Sequence, residues 1–280
     1  MVASRMTQSQ KFRILCLHPK NSNAILFNTE LSELQHVVKR RLADTGFEAD
    51  GVEWHFVDAP NLVKLPYAAE QAQADGSSND GPGRVWWHLP DGHRSYTAEA
   101  YFGDDKSLKR IEDALSTLKG QQSDDATSGY DGILGFSQGA MMAAIIAARN
   151  VEKLKFALLF GAALPKPYEN FLEEFRLSGP SISIRISGTS ASPSTSTTTT
   201  ISTTPSGSEA SATRSICSVL SVLSKKDTIN PPEMGEWVGK RVGGEDAKTI
   251  WHDEGHVIPT NSLVLEEIAA WLLSFGNLNH

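Results

Sequence analysis

Cysteine is scarce, with Cys16 and Cys217 the two thiols in 280 residues. Each sits inside an apolar, strand-like run, so buried free thiols are expected rather than a disulfide framework or a thiolate zinc site. No apolar run approaches the roughly 18 residues that span a bilayer. The stretch Met1–Gln10 lacks the apolar centre of a signal peptide, and no Asn-x-Ser/Thr acceptor occurs. Basic residues are outnumbered, 26 Lys and Arg against 33 Asp and Glu, giving a formal charge of −7. They form no basic patch, so the footprint of a nucleic-acid binder is missing. The expectation is a cytoplasmic protein with no membrane span and no nucleic-acid partner. What is present is ordinary: 40% hydrophobic and 21% charged residues, enough to build one large α/β domain.

Short apolar runs alternate with helical periodicity. Phe12–Leu17 reads as a strand buried on both faces. A helix is expected from Ala24 to Leu42, with Leu31, Leu34, Val38 and Leu42 on one stripe. Val52–Val57 is a second strand. Positions 68–83 carry no periodicity and read as a surface loop. A helix over Asp104–Leu118, a strand over Tyr130–Leu134, an all-apolar helix over Ala140–Ala148 and a strand over Phe156–Phe160 follow. This alternation predicts a mostly parallel central sheet with helices on both faces. A Ser/Thr-rich stretch at 189–215 has little to bury and is expected to be a disordered insertion. Strands at Ile216–Leu223 and Lys248–Trp251 then flank a helix carrying Met234, Trp237 and Val238. A helix at Ser262–Leu273 closes a single α/β domain, with its core over about 12–273.

Gly135-Phe136-Ser137-Gln138-Gly139 fits the G-x-S-x-G pattern of a nucleophile elbow. So short a pattern recurs by chance, and its context decides. A buried strand precedes it and an apolar helix follows, the arrangement that lifts a serine hydroxyl above a sheet. The helix N-terminus would face the reacting oxygen, with the Gln138 backbone N–H as one oxyanion donor. A base and an acid should follow in the chain order Ser, Asp, His. Asp227 stands just past a strand end, and His256 lies in a loop between a strand and the last helix. Asp253 and Glu254 compete for the acid's role, but they are too near His256 in sequence to meet its ring easily. The second oxyanion donor is expected from the loop after the first strand. Pro19 has no N–H to offer, which leaves Lys20. Trp86, Trp87, Tyr101 and Phe102 are candidates to line an acyl pocket, with core packing as the competing reading for one Trp of the pair. Positions 164–177 could cover the site.

Two other classes compete with a serine hydrolase. His252 and His256 stand four apart, a metal-ligand spacing on a helix. Gly255 and the strand-like run before it speak against a helix there, so no metal or cofactor is expected. A non-catalytic ligand-binding scaffold on the same fold is the other alternative, with Pro19 as its support.

The stretches Leu15-Cys16-Leu17-His18, Trp86-Trp87, Tyr101-Phe102-Gly103 with Ser107, 130–140 (YDGILGFSQGA), Asp227 with Ile229 and Pro231, and 255–259 (GHVIP) resemble the fungal serine-hydrolase family abbreviated FSH, within the α/β-hydrolase superfamily. The resemblance spans about residues 12–273. It implies the α/β-hydrolase fold, Ser137 as nucleophile, Asp227 orienting the base and His256 as base. It also implies esters or thioesters as substrates, including acyl chains on carrier proteins in fungal secondary-metabolite pathways. The sequence departs from the family in three places. His18-Pro19 stands where His-Gly is usual, the Ser/Thr-rich stretch is inserted, and Ser224 replaces a glycine ahead of the acid.

Overall fold

The computed structural model describes residues 12–44, 51–63, 83–117, 129–150, 153–178 and 217–275. Positions 68–82 of the loop expected at 68–83, and the Ser/Thr-rich stretch at 189–215, lie outside these. Six strands form one parallel sheet: β1 (Phe12–Leu17), β2 (Val52–Val57), β5 (Gly132–Phe136), β6 (Phe156–Phe160), β7 (Ser218–Ser224) and β8 (Lys248–His252), in the order β2-β1-β5-β6-β7-β8. A short antiparallel pair, β3 (Asn61–Leu62) and β4 (Arg84–Val85), lies apart from it.

Both faces of the sheet are covered, as a parallel sheet demands. Strand side chains alternate between two cores. Leu15, Leu17, Ile133, Ala157, Leu159 and Val219 pack with α3 (Asp104–Thr117), α4 (Gln138–Arg149), α5 (Glu169–Ser178) and α6 (Pro232–Gly243). Ile14, Cys16, Leu134, Phe156, Leu158, Leu220 and Val222 face α1 (Ala24–Glu30), α2 (Ser32–Asp44) and α7 (Ser262–Leu273). Helix α4 is buried from Gln138 to Ala148. Its alanines let it lie flat against the strands while neighbouring helices cover its outer side. Arg40 and Arg41 of α2 both reach Glu266 of α7, tying the second layer together.

The single helix expected over Ala24–Leu42 is two, α1 and α2, which meet at Leu31. Leu31 has ψ near zero (φ −87°, ψ −1°) and is fully buried, and its carbonyl accepts from Gln35 N. The bend keeps one apolar stripe on the sheet, and for that reason the periodicity alone concealed it. Strand limits shift by up to two residues, because β5 and β7 extend only where β1, β6 and β8 pair with them. Both cysteines are free and buried. Burial raises the Cys16 thiol well above its ordinary value and pushes Cys217 up to about 12, so neither offers a thiolate. Among the described residues, no helix is long and apolar enough to cross a membrane.

From β1 the chain winds outward to β2, and from β5 it winds the opposite way to β8. The crevice at such a switch point, outside the carboxyl ends of β1 and β5, is where open α/β sheets bind ligands. The β5–α4 turn lies there, and it is tight. A Cβ on Gly135 would stand 2.3 Å from the Gly139 carbonyl oxygen, and one on Gly139 only 2.1 Å from the Leu17 carbonyl oxygen. Backbone on both sides cannot yield. Gly139→Ala should therefore lower unfolding stability by about 3 kcal/mol or more, at the top of the overpacking range. Gly129→Ala, where a Cβ meets nothing within 4 Å, should change it by less than about 0.5 kcal/mol. Urea titrations of the two variants check the contrast.

Candidate active site

Ser137 follows β5 directly and has φ +54° and ψ −116°. A positive φ on a residue with a Cβ costs about 1–3 kcal/mol and persists only where the surroundings enforce it. Here Ser137 N donates to the Phe160 carbonyl at 2.9 Å, and the Ser137 carbonyl accepts from Ala140 and Met141 N. The turn is clamped between β6 and the first turn of α4, which turns the side chain out of the sheet.

His256 and Asp227 arrive on the loops after β8 and β7. His256 Nε2 lies 2.9 Å from Ser137 Oγ, and His256 Nδ1 lies 2.6 Å from Asp227 Oδ2. A carboxylate can only accept, so Nδ1 carries the ring proton and Nε2 is left to accept from the serine hydroxyl. The other carboxylate oxygen, Asp227 Oδ1, accepts from Ile229 N and Asn230 N at 2.8 and 2.9 Å. Asn230 also donates through Nδ2 to the Gly161 carbonyl, fixing the acid loop to the end of β6. The Asp227 side chain is 3% exposed and that of His256 15%, with the Phe136 ring 5.0 Å from the imidazole. Three residues 29 to 119 positions apart thus form one hydrogen-bonded chain.

The rival groups are turned elsewhere. Asp253 is exposed beside Lys226. The Glu254 carboxylate accepts from Thr260 N, Thr260 Oγ1 and Asn261 N, closing the turn before α7. His252 ends strand β8, and its Nδ1 accepts from Glu254 N. With both ring nitrogens of His256 engaged, the His252–His256 spacing builds no ligand pair. Among the described residues, no group of three or more His, Cys, Asp and Glu is placed to hold a metal.

On the far side of Ser137, Gln138 opens α4, and its backbone N–H has no partner among the described residues. Its buried side chain accepts from Trp86 N at 2.8 Å and donates to the Trp87 carbonyl at 2.9 Å. Trp86 Nε1 in turn donates to the His18 carbonyl at 2.8 Å. Pro19 follows, in a loop held from several directions. His18 Nδ1 donates to the Pro19 carbonyl at 2.7 Å, while its Nε2 accepts from Ala59 N at 3.0 Å. Asn21, at φ +66°, donates its N–H to Arg84 O, and Arg84 N returns a bond to Ser22 O. Asp58 Oδ1 accepts from Ala24 N at 2.8 Å. The Asn21 N–H is thereby used, whereas Lys20 is exposed with a backbone N–H that no described residue engages.

The expected acyl-pocket aromatics do not stay together. Trp86 and Trp87 are both fully buried, and Tyr101 is 8% exposed. Trp87 stacks on Tyr101 at 4.4 Å, and Tyr101 leans on Tyr168. These three are core, a correction to the pocket reading, because Gln138 draws the Trp pair beneath the elbow. Phe102 alone of the four is exposed, at 57%. The sequence reading missed the roles of His18, Asn230 and the Gln138 side chain. Only a polar residue inside an apolar run could have hinted at them.

A family model described as serine hydrolase (FSH1) matches residues 6–268. Rhodanese-like domain-containing protein 6 of Arabidopsis thaliana is 26% identical over 95% of this chain and 39% of its own length. Esterase OVCA2 of Danio rerio is 28% identical over 51% of this chain and 58% of its own. Esterase citA of Monascus ruber is 33% identical over 49% and 45%. The chain spans about half the length of the curated relatives it matches. Among solved structures, esterase PE8 (TM-score 0.56, 17% identity, 95% and 94% of the two chains) and Zea mays acyl-protein thioesterase 2 (0.53, 15%, 95% and 94%) share the fold, which is that of α/β-hydrolases.

Two buried histidines tie the site's scaffold to pH. Burial holds His18 and His252 below the ordinary 6.5, outweighing the carboxylates near each. The unfolded chain therefore takes up these protons first, and stability is full above about pH 6.5 and lost as pH falls through the lower folded-state values. Urea midpoints measured from pH 7.5 down to 5 should decline, and His18→Asn should flatten that decline. An unchanged slope in the variant would contradict the assignment.

Proposed function

The chain belongs to the serine hydrolase (FSH1) family, and we propose that it cleaves an ester or thioester through an acyl-enzyme on Ser137. The observation that carries this reading is the continuous Ser137–His256–Asp227 hydrogen-bonded chain at the sheet's switch point. His256 Nε2 takes the hydroxyl proton as Ser137 Oγ attacks the carbonyl carbon. The oxyanion of the tetrahedral intermediate is held by the backbone N–H groups of Gln138 and Lys20. His256 then returns the proton to the departing alcohol or thiol, leaving Ser137 acylated. Water gives a proton to His256 and attacks the acyl carbon, and the acid leaves as the proton passes back to Oγ. Asp227 fixes the ring tautomer and stabilises the imidazolium.

The substrate class is a small-molecule ester or an acyl-thioester, with a chain presented on a carrier protein, as in secondary metabolism, included. Ile229 and Val257, next to the acid and the base, are 40% and 44% exposed, giving an acyl chain apolar surface beside the mouth.

Ser137→Ala should lower kcat by about a thousandfold or more. A fluorophosphonate should label wild-type protein at Ser137, and EDTA should leave the activity intact. Near-wild-type turnover in the variant would overturn the proposal. A series of p-nitrophenyl esters set against acyl-thioesters of matched length would identify the leaving group.

A further inference from the structure

Asp227 and His256 are carried by different loops, and the bond between their side chains does not explain what holds the loops at that spacing. We propose that Ser224 is the positioning residue that does so, its hydroxyl joining the backbone ahead of the acid to the backbone ahead of the base. Ser224 is the last residue of β7, pairs in register with His252 at the end of β8, and is 2% exposed. Its Oγ accepts two backbone N–H groups, from Lys226 at 3.1 Å and from Gly255 at 3.0 Å. Lys226 immediately precedes Asp227, and Gly255 immediately precedes His256. One oxygen with two lone pairs therefore fixes both functional side chains from one residue upstream.

The two loops have few other ties. Lys225 N reaches the His252 carbonyl at 3.3 Å, and the exposed side chains of Lys226 and Asp253 lie 3.8 Å apart. Within the histidine loop, Glu254 closes the turn onto Thr260 and Asn261. Among the described residues, the Gly255 N–H is the one backbone donor from positions 253–257 that reaches β7 or the acid loop. Gly255 itself has φ +83°, a conformation that aims this N–H at Ser224 and that a side chain would resist. Removing the hydroxyl leaves the Lys226 and Gly255 N–H groups without this acceptor, and each loop can then relax away from the other. The Asp227–His256 bond lengthens, and the imidazolium that forms during turnover loses part of its stabilisation.

This inference rests on the hydrolase reading. Its test compares wild type with Ser224→Ala, Ser224→Thr and the volume-conserving Ser224→Cys, using p-nitrophenyl acetate or butyrate, whichever the wild type turns over. Absence of wild-type turnover on any ester or thioester sinks the parent reading; the outcomes below concern Ser224 alone. Ser224→Ala should lower kcat about 10–100-fold, the cost of misplacing a catalytic group by up to about 1 Å, with KM nearly unchanged. The acidic limb of its pH–kcat/KM profile should move to lower pH, because a base parted from its carboxylate holds a proton less well. Ser224→Thr should restore both. If alanine unfolds the protein, Ser224→Cys, whose sulfur is a weaker acceptor, should show the same limb shift in smaller measure. Wild-type kinetics in Ser224→Ala would overturn the proposal. So would a loss of kcat with an unmoved limb, or a loss that Ala and Thr share equally, since these mark a structural role only.

Discussion

The close approach of the β5–α4 turn to the end of β1 is the contact on which the rest of the site depends. Gly139 packs onto the Leu17 and His18 carbonyls, and Gly135 packs onto Gly139, with no room for a Cβ at either position. That approach forces Ser137 into its positive-φ conformation and points its hydroxyl out of the sheet. It also lays the N-terminus of α4 against the loop after β1. A side chain at Gly139 would separate the serine from that loop and open the core beneath it.

Around this contact the polar groups are arranged so that few are free. Asp227 has both oxygens occupied, one by two backbone N–H groups and the other by His256. His18 uses both ring nitrogens to fold the Pro19 loop. Gln138 spends its whole side chain on the Trp86-Trp87 backbone. Buried polar networks specify one arrangement because any misplacement leaves a donor or acceptor unsatisfied. Among the described residues, the buried Trp87 Nε1 is an exception, and the backbone N–H groups of Gln138 and Lys20 have no partner either. The departure at Pro19 costs this loop nothing visible, since proline's missing donor is not one that its neighbours need.

Much of this was legible in the chain, for different reasons in different places. The sheet was, because parallel strands buried on both faces must be short apolar runs, and Phe12–Leu17 and Phe156–Phe160 are such runs. The break at Leu31 was not, because the apolar stripe continues through it. Ser137, Asp227 and His256 stood out as candidates because each follows a strand in the required order. Trp86 and Trp87 misled: two adjacent tryptophans look alike whether they line a pocket or fill a core, and a glutamine 51 residues away decides which.

The sequence alone determined the alternation of elements, the two glycines around the serine and the order of the three polar residues, since all of these are local or periodic properties of the chain. Tertiary structure decided the rest. It set the 2.6 and 2.9 Å contacts that join three loops, the burial of the aromatic pair, and the two backbone bonds that converge on Ser224. Those depend on the strand order β5-β6-β7-β8, which brings residues more than a hundred positions apart to one end of the sheet. No run of neighbouring residues encodes that order by itself.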